Sequence, residues 1–97
     1  MKQYQYRITL EYLEDNQGNP KDEKIQFTAA NHDDIFKIIE LSKQREGFTS
    51  DMAEQFTVGL KLMGEVMMVH RDLPLFREIK PHFLEIMKLV KGKGKAE

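Results

Sequence analysis

Few residues in this chain of 97 could do chemistry, and their spacing decides what they can do. There is no Cys, so a thiolate nucleophile and a thiolate metal site are both excluded. Ser42 and Ser50 are the two serines, and neither lies in the Gly-x-Ser-x-Gly elbow that presents a hydroxyl for attack. His70-Arg71-Asp72-Leu73 spells the opening of a protein-kinase catalytic loop. That loop needs an Asn five residues beyond its Asp to hold metal, and Arg77 stands there. Gly59 and Gly64 have the spacing of a phosphate-binding loop, but Glu65 and Val66 follow where Lys and Ser or Thr are required. Both glycines also lie within a periodic helical segment, where close approach of a neighbouring helix or of a strand face is the better reading.

His32-Asp33 has the form of a metal-binding pair of phosphohydrolases, which would need a further His before it; none exists. His70 and His82 are separated by a turn and a proline, not by the three or four residues that set two ligands on one helical face. A zinc site would require His32, His70, His82 and a carboxylate to converge. Asp33-Asp34 reads as a pair of first-turn charges on a helix dipole rather than an acid/base couple. The expectation is therefore no catalytic residue, no metal, no cofactor and no enzyme.

What remains is contact chemistry. Tyr6, His32 and Arg71 are candidates to touch a ligand or partner, and Met67 and Met68 are two more. Methionine fills irregular gaps in cores but also serves adaptable binding surfaces; these two are adjacent and point in different directions. Tyr4, Tyr6 and Tyr12 could stack single-stranded bases beside a Lys-rich tail, yet the surrounding segment is rich in Glu and Asp. A core-boundary role with hydroxyls at the rim is favoured for the tyrosines.

The elements that must position these residues follow from periodicity. Tyr4, Tyr6, Ile8, Leu10 and Tyr12 alternate with Gln3, Gln5, Arg7, Thr9 and Glu11, the period of a half-covered strand. Glu14 to Lys21 gathers turn-forming residues, and a second alternation puts Ile25, Phe27 and Ala29 on one side. These predict an antiparallel β-hairpin over about 3–13 and 23–29 with a mobile tip. Asn31 is the expected N-cap of a helix over about 32–46, closed by Gly47 in a left-handed conformation. Thr49 or Ser50 caps a second helix over about 50–70, with Met52, Phe56, Leu60, Met63 and Met67 on one stripe and Val58, Leu62 and Val66 widening it. Asp72 caps a third helix over about 73–91, kinked or broken near Pro81. The fold class is α+β: one domain over 1–91, its hairpin packed on three helices, followed by a flexible Lys/Gly tail over 92–97.

Composition agrees with one small domain: 40% apolar, 32% charged, 15 Lys+Arg against 16 Asp+Glu. The net charge of −1 gives no global field to attract nucleic acid or an acidic membrane. The charge is uneven, however. Residues 1–76 hold 9 basic and 13 acidic side chains, and residues 77–97 hold 6 and 3. No apolar run approaches a membrane span and the start lacks a signal-peptide core, so a reducing cytoplasm is the expected compartment.

Asn31-His32-Asp33-Asp34-Ile35-Phe36, the Gly59–Val66 segment (Gly-Leu-Lys-Leu-Met-Gly-Glu-Val) and Pro74-Leu75-Phe76 together resemble a family of small bacterial proteins of unknown function. Those proteins combine a hairpin, a helix opened by His-Asp-Asp or His-Asp-Glu, and a central helix. The resemblance implies a bacterial protein without an assigned activity, and it transfers no functional residue. The reading favoured by the residues is a non-enzymatic interaction or regulatory module, self-associating as a homodimer through a hairpin edge or a helix face, with an unidentified protein as a further partner. A small-ligand pocket between hairpin and helices is the alternative, and an RNA-binding accessory the third.

Overall fold

The computed structural model describes residues 2–95. The architecture is α+β, an antiparallel two-stranded hairpin followed by three helices. The chain divides at Asp33 into two compact units, residues 1–33 and 34–97.

In the first unit, β1 (Tyr4–Glu11) pairs with β2 (Lys24–Asn31), in register from Tyr4 opposite Asn31 to Glu11 opposite Lys24. Side chains alternate across a sheet. Tyr4, Tyr6, Ile8 and Leu10 therefore share one face with Asn31, Ala29, Phe27 and Ile25. On the opposite face Gln26 Nε2 donates to Thr9 Oγ1 at 3.0 Å. Burial along the apolar face is uneven. Asn31 is buried and Tyr6, Ile8 and Ala29 are half-buried, whereas Leu10, Ile25 and Phe27 are exposed.

Pairing continues past the strands, with Tyr12 N donating to Glu23 O and Lys21 N to Leu13 O. The tip, expected from its composition to be mobile, is closed by hydrogen bonds. Asp15 N donates to Asn19 O, Gly18 N donates to Asp15 O, and the Asp15 carboxylate accepts from the amides of Gln17 and Asn19, each at 2.9 Å. Gly18 sits at φ +82°, the left-handed position that completes a three-residue hairpin loop and that glycine adopts without strain. Turn-rich composition here encodes a defined turn.

Asn31 is not the helix cap that the sequence predicts. Its backbone pairs with Tyr4 as the last residue of β2, and its side-chain oxygen accepts from Asp33 N at 3.0 Å. The strand thus runs two residues further than expected, and the helix starts three residues later. In the second unit, α1 (Ile35–Ser42) is capped by Asp34, whose carboxylate accepts from Lys37 N at 3.3 Å. It also ends earlier than 46. Gln44 N bonds Leu41 O and Arg45 N bonds Ser42 O, tighter turns that unwind the helix. Gly47 is left-handed as expected, at φ +86°, but as the third residue of a turn closed by Phe48 N to Arg45 O.

α2 (Ser50–Val69) is capped by Thr49, whose hydroxyl accepts from Met52 N, with Asp51 in its first turn. α3 (Pro74–Lys95) opens with Arg77 N bonded to Leu73 O, and Pro74 takes the first position, where its missing donor costs nothing. Of the kink or break expected near Pro81, no break occurs, and α3 runs through the proline as one helix. A proline removes one donor, here the partner of the Arg77 carbonyl, and the turns on either side hold the helix together. Helical backbone also extends through Lys95, where a tail over 92–97 was expected. Lysine is a good helix former, and its charge is favoured at a helix C-terminus. Ala96 and Glu97 lie outside the described residues.

The core of this unit is small. Ile35 and Ile39 of α1 and Ala53, Thr57 and Met67 of α2 are its buried side chains, with Thr57 Oγ1 donating to Ser42 Oγ at 2.9 Å between the helices. α3 turns Phe76, Ile79, Phe83, Met87 and Val90 to one half-buried side, spaced as one helical face. Gly64 admits α3: a Cβ built there would lie 3.2 Å from Phe83 Cζ. The Arg45 guanidinium donates to the Val90 carbonyl and lies over the Phe48 ring, which meets Phe56 edge-on at 5.8 Å.

Candidate functional site

Tyr6, His32 and Asp33 come together in the first unit. Tyr6 Oη donates to the Asp33 carbonyl at 2.9 Å, and His32 Nε2 lies 3.4 Å from Asp33 Oδ2. This joins the first strand to the segment that leaves the second. The imidazole is more than half exposed, and the Asp33 carboxylate beside it is about one-third exposed. Among the described residues no group of three or more His, Asp or Glu could hold a metal ion.

The other candidates lie at the end of α2 and beyond it. Met67 is buried at 7% exposure, a core residue, whereas its neighbour Met68 is 48% exposed. Arg71 is exposed in the turn that links α2 to α3. The carboxyl of Asp15, at the hairpin tip, titrates below its ordinary value. The Asn19 amide first, then that of Gln17, hold it below the usual 3.8 by bonding its ionised form.

Two surfaces stand out that the chemistry-bearing residues do not mark. The first is on α2. Ala53, Thr57 and Met67 face inward, with Leu60 and Gly64 half-buried on the same side. Beside that side runs a stripe of Met52, Phe56, Gly59, Met63 and Val66, at offsets of 0, 4, 7, 11 and 14. Its four side chains are 41–48% exposed. The single stripe expected from the sequence is thus split, its Met67 buried and its Met52, Phe56 and Met63 open. Gly59 sits at the middle of the exposed stripe, and a Cβ added there would meet nothing within 4 Å. Helix–helix packing therefore explains Gly64 but not Gly59. A glycine in a helix costs about 1 kcal/mol relative to alanine, and at Gly59 no close neighbour among the described residues requires the missing side chain.

The second surface lies within the hairpin. A groove of about 600 Å³ is lined, among the described residues, by the two arms near the tip. Leu10, Tyr12 and Ile25 give it apolar surface, and Glu11, Glu14 and Glu23 give it negative charge, with Lys24 as the basic member. The signal for it was present in the sequence, as acidic residues interleaved with an apolar alternation, but the alternation alone reads as core.

The sequence matches the family DUF3861, a domain of unknown function with a solved structure, over residues 4–92. The chain belongs to that family. Its fold is similar to the crystal structure, at 2.20 Å, of a protein of unknown function from Pectobacterium atrosepticum. That likeness has a TM-score of 0.81 and 34% identity, and covers 93% of this chain and 98% of that one. No curated protein matches. The expected resemblance to a small family without an assigned activity is met, and nothing among the relatives indicates an enzymatic activity. No described helix is long and apolar enough to cross a membrane.

Proposed function

We propose that this DUF3861 chain is a non-enzymatic protein–protein interaction module that self-associates through α2. The observation that carries the reading is Gly59, a helix-weakening residue centred in an exposed apolar stripe, where an added Cβ would meet nothing within 4 Å among the described residues. A missing side chain is useful where another backbone comes close, and helix axes can then approach to about 8 Å rather than 10 Å.

The stripe is also self-complementary, as a two-fold interface must be. Met52 and Val66 lie seven residues to either side of Gly59. An antiparallel crossing there sets Met52 against Val66 of a second copy and brings Phe56 close to its Met63. Full exposure of side chains this size offers about 150–250 Å² each. Four of them, 41–48% exposed, therefore supply roughly 250–480 Å² per chain. That is about half of the roughly 800 Å² per partner of a standard interface, enough for its centre but not its whole extent.

Sedimentation of the full chain across a concentration series tests this. The wild type should form a dimer at tens to hundreds of micromolar, and Met63→Asp should raise the dissociation constant at least tenfold without loss of helical signal. A wild type that stays monomeric at several hundred micromolar would end the proposal.

A further inference from the structure

We infer that the acidic hairpin groove receives the basic C-terminal stretch of α3 from a second copy of this chain. The inference rests on the self-association reading but uses a separate surface. Residues 11–24 carry Glu11, Glu14, Asp15, Asp22 and Glu23 against Lys21 and Lys24, a balance of −3. Residues 86–95 carry four lysines and no acid, a balance of +4. Opposite charges on two segments of one chain, with Lys88 and Lys91 exposed on the second, favour encounter between copies, and the groove adds an apolar floor that charge alone would not need.

The two surfaces also match in scale. Phe83, Met87 and Val90 occupy the half-buried side of α3, which leaves Leu84, Lys88 and Lys91 together on another side at i, i+4 and i+7. Leu84 is 51% exposed. Lys88 and Lys91 lie about 6 and 10 Å further along the helix axis, at 1.5 Å per residue. Along the hairpin arm, Tyr12 and Glu14 lie about 7 and 13 Å beyond Leu10, at roughly 3.3 Å per residue. Leu84 can thus rest on Leu10 and Ile25 while its two lysines reach Glu14 and Glu23. Lys88 pairs with Glu85 of its own helix at 3.4 Å, but both are about three-quarters exposed, and such a pair exchanges readily.

A second copy is the occupant because a two-fold axis forms this contact twice. Each chain then gives a groove and takes one.

Charge reversal in full-length protein tests the inference. One variant carries Glu11→Lys, Glu14→Lys and Glu23→Lys, and the other carries Lys88→Glu and Lys91→Glu; all five sites are exposed, and circular dichroism verifies the fold. Each variant alone should dissociate with a constant at least tenfold above wild type, with the difference shrinking in high salt. Mixed one to one they should regain wild-type association, because both contacts of the mixed dimer again pair opposite charges. Reversals that leave association unchanged, or a mixture as weak as its parents, would overturn the inference. If Met63→Asp dissociates the dimer while the reversals do not, the groove contact falls and the α2 reading stands. If the mixture is rescued while Met63→Asp has no effect, the reverse holds.

Discussion

Substituting Gly59 with alanine should stabilise the isolated chain and weaken its association, two effects of opposite sign from one methyl group. The stabilising part follows from helix propensity. Gly59 lies ten residues into a 20-residue helix, a Cβ there meets nothing within 4 Å, and alanine is favoured over glycine by about 1 kcal/mol. For a domain of this size that corresponds to a rise in Tm of about 4–8 °C. Urea unfolding followed by circular dichroism at low micromolar concentration, below association, measures it. The same methyl at the proposed crossing should increase the dimer dissociation constant, read by sedimentation at high concentration. Gly64 is the internal control. Its added Cβ would stand 3.2 Å from Phe83 Cζ, so the propensity gain is opposed by displacement of the ring, and Gly64→Ala should gain less than Gly59→Ala. If Gly59→Ala instead lowers stability at low concentration, some contact within the chain already uses that space and the argument from the exposed stripe is wrong.

Pro81→Ala should stabilise α3 by up to about 3 kcal/mol, since it supplies a donor for the Arg77 carbonyl and removes the ring from the turn; denaturant midpoints check it, and no gain would mean the helix is built around the proline. Asp15 should titrate below 3.8 in the folded chain, followed by NMR of its carboxyl and of the Gln17 and Asn19 amides. Its pKa is depressed on folding, so the tip stabilisation is present above the unfolded value and is lost as pH falls through the folded one. A carboxyl that titrates at or above 3.8 would show the tip hydrogen bonds are not held in solution.

The fold class was legible because two periods are written plainly, alternation from Tyr4 to Tyr12 and helical spacing from Ile35 onward. Boundaries were harder where one residue type serves two purposes. Asn31 and Asp34 can both cap a helix, and the choice fell to Asp34 because cross-strand pairing with Tyr4 claims the Asn31 backbone, a long-range fact that local spacing does not contain. The tip misled in the same way: Asp15, Gly18 and Asn19 look like a flexible run until the carboxylate is seen to gather two amides. Among the candidate contact residues, Met67 and Met68 could be separated only in direction, and packing decided which became core. Gly59 was visible as an anomaly, but periodicity says only that a helix passes through it, not what lies beside it.

The asymmetry between core and surface bears on why such a chain would associate. A domain of about a hundred residues has little margin, because conformational entropy nearly cancels what burial contributes. Here Ile35, Ile39, Ala53 and Met67 are the buried apolar residues among those described, while Leu10, Ile25, Phe27, Met52, Phe56, Met63 and Leu84 remain exposed. A two-stranded hairpin is marginal by itself in water, and an open apolar face does not improve it. A partner that covers such faces binds the folded state and not the unfolded one, so association and folding are linked by mass action. Thermal midpoints should therefore rise with protein concentration in the wild type and level off in Met63→Asp. A midpoint independent of concentration over a hundredfold range would show instead that the chain holds its fold without the second copy.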